Sequence, residues 1–169
     1  MAVTGSGIGT TTVTTVRCLR AHDADAVQRI HACLDQHDSY MRWFGPQPKE
    51  LNAFADKLCE CTDRRCALGA FIGKELVGVG NFVVLEGVTP TTVEFALVVA
   101  RDERLHGIGN LILDELEDEA YRHGAQRMVA EVMGENAPML KVIRERGWEH
   151  SFRRDGSTLH LEVKLHGAE

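Results

Sequence analysis

Hydrophobic and polar positions along the chain switch between two periods, and each switch marks an element. Residues 14–19 are rich in β-branched side chains and predict a first strand. His22-Asp23-Ala24-Asp25 then offers a helix start with Asp23 as its cap, followed by an apolar stripe of Ala26, Val27, Ile30, Ala32, Cys33 and Leu34. Residues 37–45 read as a loop that concentrates Tyr40, Met41, Trp43 and Phe44, aromatics that either pack over the core or line a binding groove. Pro46 and Pro48 open a second helix through Leu51, Phe54, Ala55 and Leu58.

Residues 66–72 and 76–85 form two apolar strands around Gly73-Lys74, spaced as a tight hairpin, and a fourth strand covers residues 91–100. Gly78 and Gly80 in the second hairpin strand signal bending or close approach of another segment. From Asn110 to His123 the pattern is helical, burying Ile108, Leu111, Ile112, Leu116 and Ala120 and turning Asp114, Glu115, Glu117, Asp118 and Glu119 to solvent, with Gly124 as the C-cap. A strand at 127–133, a helix at 138–146 ended by Gly147, and strands at 149–154 and 158–165 turned at Asp155-Gly156 complete the pattern. The order β-α-α-β-β-β-α-β-α-β-β predicts an α/β fold, a central mixed sheet flanked by helices on both faces. Residues 1–12 are mostly Gly, Ser and Thr and read as a flexible leader before a single domain at 13–169.

Composition narrows the function classes. An apolar content of 44% with 26% charged residues is that of an ordinary globular domain. No apolar run approaches the ~20 residues of a membrane span, and no secretory signal pattern opens the chain, so a cytoplasmic location is expected. The formal charge of −6 argues against nucleic acid, which needs clustered Lys and Arg, and suits a cationic substrate. Cys59, Cys61 and Cys66 lack the paired spacing of a zinc site, so no metal is expected. Nothing in the pattern reads out an oligomeric state.

The stretch with the most chemistry in it is Arg104-Leu105-His106-Gly107-Ile108-Gly109, set between the fourth strand and the long helix. A strand that turns through glycines into a helix start makes an anion site, because the first helical N–H groups have no intrahelical partner and carry the positive end of the macrodipole. Arg101 and Arg104 add cationic charge beside it.

That turn, in that element order, resembles the Gln/Arg-x-x-Gly-x-Gly/Ala pyrophosphate motif of the GNAT superfamily of acyl-coenzyme A dependent N-acyltransferases. A second family signature, Asn then a short helix and a Gly-aromatic pair, matches Asn136, Met139, Gly147 and Trp148. Within the superfamily, Ser39-Tyr40-Met41-Arg42-Trp43-Phe44, Val77-Gly78-Val79-Gly80 and Val93-Glu94-Phe95-Ala96 look like the catalytic domain of bacterial protein lysine acetyltransferases, including the mycobacterial cyclic-nucleotide-regulated ones. No stretch here resembles their nucleotide-binding domain.

The resemblance implies acetyl-CoA as co-substrate and a primary amine, a protein lysine, as acceptor. It implies Glu94 as general base, splayed fourth and fifth strands, and cofactor contacts from Leu97, Val98 and Val99, with the Val99 N–H polarising the thioester. Arg104, Leu105, His106, Gly107, Ile108, Gly109 and Asn110 would then hold the phosphates, Asn136 would face the channel unless it merely caps its helix, and Tyr40, Trp43 and Phe44 would meet the acceptor. The sequence departs from relatives at Leu105 and His106, where many carry Gly and Arg, and at Ile143, where many carry a tyrosine general acid. A base is chemically reasonable, since a lysine of pKa ~10.4 is neutral in roughly one molecule in two thousand at pH 7. A small-molecule amine acetyltransferase and a non-catalytic acyl-CoA-binding regulator are the alternatives.

Overall fold

The computed structural model describes residues 2–5, 12–103, 107–148 and 151–166. Among them eight strands, β1 (Ala2–Gly5), β2 (Thr12–Cys18), β3 (Arg65–Ile72), β4 (Glu75–Val84), β5 (Thr92–Val99), β6 (Arg127–Met133), β7 (Phe152–Asp155) and β8 (Thr158–Lys164), make one sheet in the order β1-β2-β3-β4-β5-β6-β8-β7. The helices are α1 (Ala24–Ala32), α2 (Gln36–Trp43), α3 (Leu51–Leu58), α4 (Ile108–Arg122) and α5 (Ala137–Glu145). Every pairing is antiparallel except β5 with β6, which α4 connects as a crossover.

Two apolar layers cover the sheet. On one face Leu19, Val27, Ile30, Ala55, Val79 and Val98 pack α1 and α3 onto the strands. On the other, Phe82, Val93, Phe95, Leu113, Leu116, Met128 and Ile143 join α4 and α5 to the sheet. Leu113, fully buried, reaches this core, whereas Leu111 is half-buried. Gly78 and Gly80 of β4 lie directly under Ile112 of α4, and a Cβ at Gly78 would stand 2.6 Å from Ile112 Cδ1. The close approach expected at these positions is therefore that of a helix, and it seats α4 deep against β4 beside β5.

Several local expectations change. Residues 36–43 form helix α2 where a loop is expected: Asp35 caps it by accepting the Asp38 N–H at 2.7 Å, and Phe44 closes it in the left-handed region at φ +57°. Ala2–Gly5 pair with residues 12–15 as an edge strand within the segment read as a leader. Asp23 stands at the start of α1 without capping it, because its carboxylate is taken by both Nη atoms of Arg17 at 2.8 and 2.9 Å and by the Arg20 N–H. Helix α3 begins at Leu51, beyond the two prolines. The last hairpin turns at Gly156-Ser157, one residue later than expected, since Asp155 pairs with Thr158. Strand β7 begins at Phe152, and Glu149 and His150 lie outside the described residues.

Candidate active site

The sheet opens between β5 and β6. Their parallel ladder runs only through Thr92–Arg127, Val93–Met128 and Glu94–Val129, after which both strands continue unpaired with each other. On its other side β5 stays paired with β4 as far as Val99. Ladder alternation fixes which groups face the opening. The Leu85 N–H donates to Thr92 O and the Ala100 N–H to Val77 O, so the even-numbered residues, Val98 included, turn their peptide groups to β4. Phe95, Leu97 and Val99 turn theirs toward the opening. Glu94 sits at the vertex, where pairing with β6 stops.

A cavity of about 340 Å³ fills the opening, lined by β5 from Phe95 to Val99, by β6 from Ala130 to Val132, by the start of α4 and by faces of α2 and α5. Gly107 precedes α4 at φ +79°, a conformation that would strain any other residue but Asn or Asp. The first bond of the helix runs from Leu111 N–H to Gly107 O, and among the described residues no side chain caps the N-terminus. The N–H groups of Ile108, Gly109 and Asn110 therefore have no intrahelical acceptor and point out of the helix end. Gly109 serves packing as well: a Cβ there would meet Val142 at 3.2 Å and Leu97 at 3.3 Å. Arg104, Leu105 and His106, expected to complete this turn, lie outside the described residues.

Helix α2 forms the opposite wall. Arg101, just past β5, pairs with Asp35 and with Asp38 at 2.8 Å, tying the N-terminal end of α2 to the C-terminal end of β5. Arg101 is thus engaged by carboxylates, which corrects its expected part in phosphate binding. One turn on from Asp38, Arg42 lines the cavity with its guanidinium 4.1 Å from the centre of the Trp43 ring and 5.9 Å from that of Phe54. His31, 1% exposed, packs edge-on to Phe54 and donates from Nδ1 to Val27 O at 2.8 Å. Burial first, and then the Arg42 charge, push its pKa down to about 4, so the ring is neutral. Burial also pushes Arg42 down to about 10 against the opposing pull of Glu94, which leaves it charged at neutral pH.

The expected site residues separate on this frame. Leu97, Val98, Val99, Gly107, Ile108, Gly109, Asn110 and Asn136 all line the cavity, Val98 without offering its peptide group. Asn136 also caps α5, its Oδ1 accepting the Met139 N–H at 3.2 Å. Of the three aromatics only Phe44 lines the cavity: Trp43 is packed edge-to-face on Phe54 at 4.9 Å, and Tyr40 borders a separate shallow depression. Ile143 has no exposed surface and belongs to the core.

Glu94, exposed on the strand face shared with Ala96 and Val98, is held by no hydrogen bond or ion pair among the described residues. Glu94 stands outside the cavity lining, which begins at Phe95; of the four carboxylates that do line it, Glu103 being the fourth, Asp38, Glu131 and Glu145 are engaged by Arg101, His160, and Lys141 with Asn110, respectively. Arg42 and Asp38 escape a reading that treats residues 37–45 as a loop; the spacing 38, 41, 42 carries the signal once the segment is taken as helical, whereas Lys141 of α5 has no such signal.

A model of the acetyltransferase (GNAT) family matches residues 30–148. The chain belongs to that family. Among solved structures it superposes on the GNAT domain of the Streptomyces lividans protein PAT with a TM-score of 0.79, at 23% identity over 93% of this chain and 92% of that one. It is similar to yncA of Salmonella typhimurium, solved with its cofactor acetyl-CoA (TM-score 0.73, 18% identity, 92% and 96% covered). It is similar too to an N-acetyltransferase from Staphylococcus aureus Mu50 (TM-score 0.72, 18% identity, 90% and 99% covered). The GNAT acetyltransferase therefore acts with acetyl-CoA, and the described residues suit that molecule. Uncapped N–H groups at the start of α4 offer donors to phosphates. The edge of β5 toward the opening turns the Phe95 and Leu97 peptide groups to where an amide-bearing arm would lie. No helix of the described residues is long and apolar enough to cross a membrane.

Proposed function

We propose that this acetyltransferase transfers an acetyl group to the side-chain amine of a protein lysine, with Glu94 as general base. The observation that carries the reading is the position of Glu94, an unengaged carboxylate at the vertex where β5 and β6 part. Bound acetyl-CoA supplies the activated acyl thioester. Ile108, Gly109 and Asn110 would hold its phosphates by their N–H groups, while the Leu97 and Val99 peptide groups would orient the arm and polarise the thioester carbonyl. Glu94 lies three residues from Leu97, roughly 10 Å along the strand, so it takes the proton of the incoming ammonium through bridging water. With Ile143 in place of a tyrosine acid, the thiolate takes its proton from solvent. The acidic balance of the chain favours a cationic acceptor, and five cysteines without a disulfide suit the reducing cytoplasm.

Labelled acetyl-CoA added to a protein extract tests the acceptor: label in protein bands supports the reading, and label in small molecules alone overturns it. Near-total loss of turnover in Glu94→Gln, with coenzyme A binding intact and Glu131→Gln active, supports the base. Unchanged turnover in Glu94→Gln removes it.

A further inference from the structure

We infer that Arg42 is an anion-binding residue on the acceptor side of the cavity, so that the preferred acceptor carries a carboxylate within a few ångströms of its reactive amine. This rests on the proposed transfer at Glu94 and adds a chemical class to the acceptor.

Arg42 is a cation with a place and no anion. Its Nε is shut from solvent with no hydrogen-bond partner, and no ion pair forms to any of its nitrogens among the described residues. The adjacent Trp43 Nε1 is also enclosed and without an acceptor, so two donors on consecutive residues are left unsatisfied. Such groups are uncommon in folded proteins and call for an explanation; Arg146 Nε shares the state, but Asp114 and Glu117 take its terminal nitrogens, and among the described residues no carboxylate does so for Arg42. The side chain is not merely loose: Trp43 and Phe54 hold the guanidinium from the ring faces, His31 backs Phe54, and the Arg101 pairs anchor the helix that carries it. Aromatic rings stabilise the cation but accept no in-plane N–H.

The other charge near Arg42 is Glu94, close enough to act on it and too far to form an ion pair with it. The site thus presents a carboxylate and a guanidinium that are not paired with each other. An acceptor bearing only a positive charge meets Glu94 favourably and Arg42 unfavourably. One bearing an ammonium and a nearby carboxylate matches both. The phosphates of acetyl-CoA have their own donors at the helix end beside Val99, and the acetyl-CoA affinity of the Arg42 variants tells them apart from an acceptor carboxylate. The carboxylate has two sources, the α-carboxylate of a free amino acid or an acidic side chain beside a protein lysine.

The test compares kcat/KM per neutral amine, since the carboxylate also raises the amine pKa, for two pairs of acceptors: leucine against leucinamide, and a blocked peptide containing Lys-Glu against the same peptide with Lys-Gln. In the wild-type enzyme the carboxylate member of one pair is preferred about tenfold or more, as for a charge-assisted hydrogen bond. The pair showing it names the source. In Arg42→Gln the ratio falls toward one, in Arg42→Lys it partly returns, and acetyl-CoA affinity and melting temperature keep a merely structural loss apart. Wild-type ratios near one in both pairs overturn the inference even if Arg42→Gln does not fold, as does a fall in acetyl-CoA affinity with the ratio unchanged. Inactivity toward every amine, or full turnover in Glu94→Gln, strikes instead at the proposed function.

Discussion

The neutral state of His31 makes stability depend on pH in a defined window. With its ring buried and its Nδ1–H bonded to Val27 O, the folded chain holds the imidazole near pKa 4, against an ordinary value of 6.5. The folded state therefore refuses a proton that the unfolded chain accepts, so stability is full above pH 6.5 and falls as pH drops toward 4. Each pKa unit is worth about 1.4 kcal/mol, which makes the whole effect ~3 kcal/mol, of which roughly 2 kcal/mol is lost by pH 5. Below that window Asp23 takes over with the same sign: its carboxyl is held below 3.8, first by the hydrogen bonds from Arg17, and its contribution is lost only as it protonates. Urea unfolding of the wild type and of His31→Phe at pH 7.5 and pH 5 isolates His31, since the difference between the two proteins cancels the other groups. That difference is expected to move against the wild type by about 2 kcal/mol on acidification. A difference constant to a few tenths of a kcal/mol, or an imidazole resonance titrating near 6.5, would refute the reasoning.

Two further substitutions probe the frame of the site. Gly80→Ala places a Cβ against Ile112 Cγ2, a branch that cannot swing away, so α4 must lift from β4; we expect a loss of about 1–3 kcal/mol in denaturant unfolding. Because the first turn of α4 lines the cavity, calorimetric affinity for coenzyme A should weaken as well. Asn136→Ala removes the acceptor for the Met139 N–H and should cost about 1 kcal/mol, while Asn136→Ser, which keeps a cap, should retain most of the stability.

Much of the fold can be read from the chain alone because burial periods are local. The apolar runs that became β3, β4, β5 and β6 and the stripes of α1, α4 and α5 are each legible within a dozen residues. So are the glycine-led helix start at Gly107–Asn110 and the cap at Asn136, since both depend on neighbours in sequence. Helix α2 was obscured by its composition. Tyr40, Trp43 and Phe44 look like loop aromatics until Asp35 is seen capping them and Arg101, 63 residues beyond Asp38, is seen holding them down.

Other features come from pairings between distant segments. The ladder between β5 and β6 ends at Glu94, and that end leaves an ordinary strand carboxylate one residue short of the cavity lining, which begins at Phe95. Arg42 is set the same way: its ring partners and the unpartnered Nε depend on α2 and α3 meeting in space. Periodicity along the chain determines which residues are buried and in which element. Which charges are left unpaired near the opening is decided only when the sheet has closed on one side of β5 and failed to close on the other.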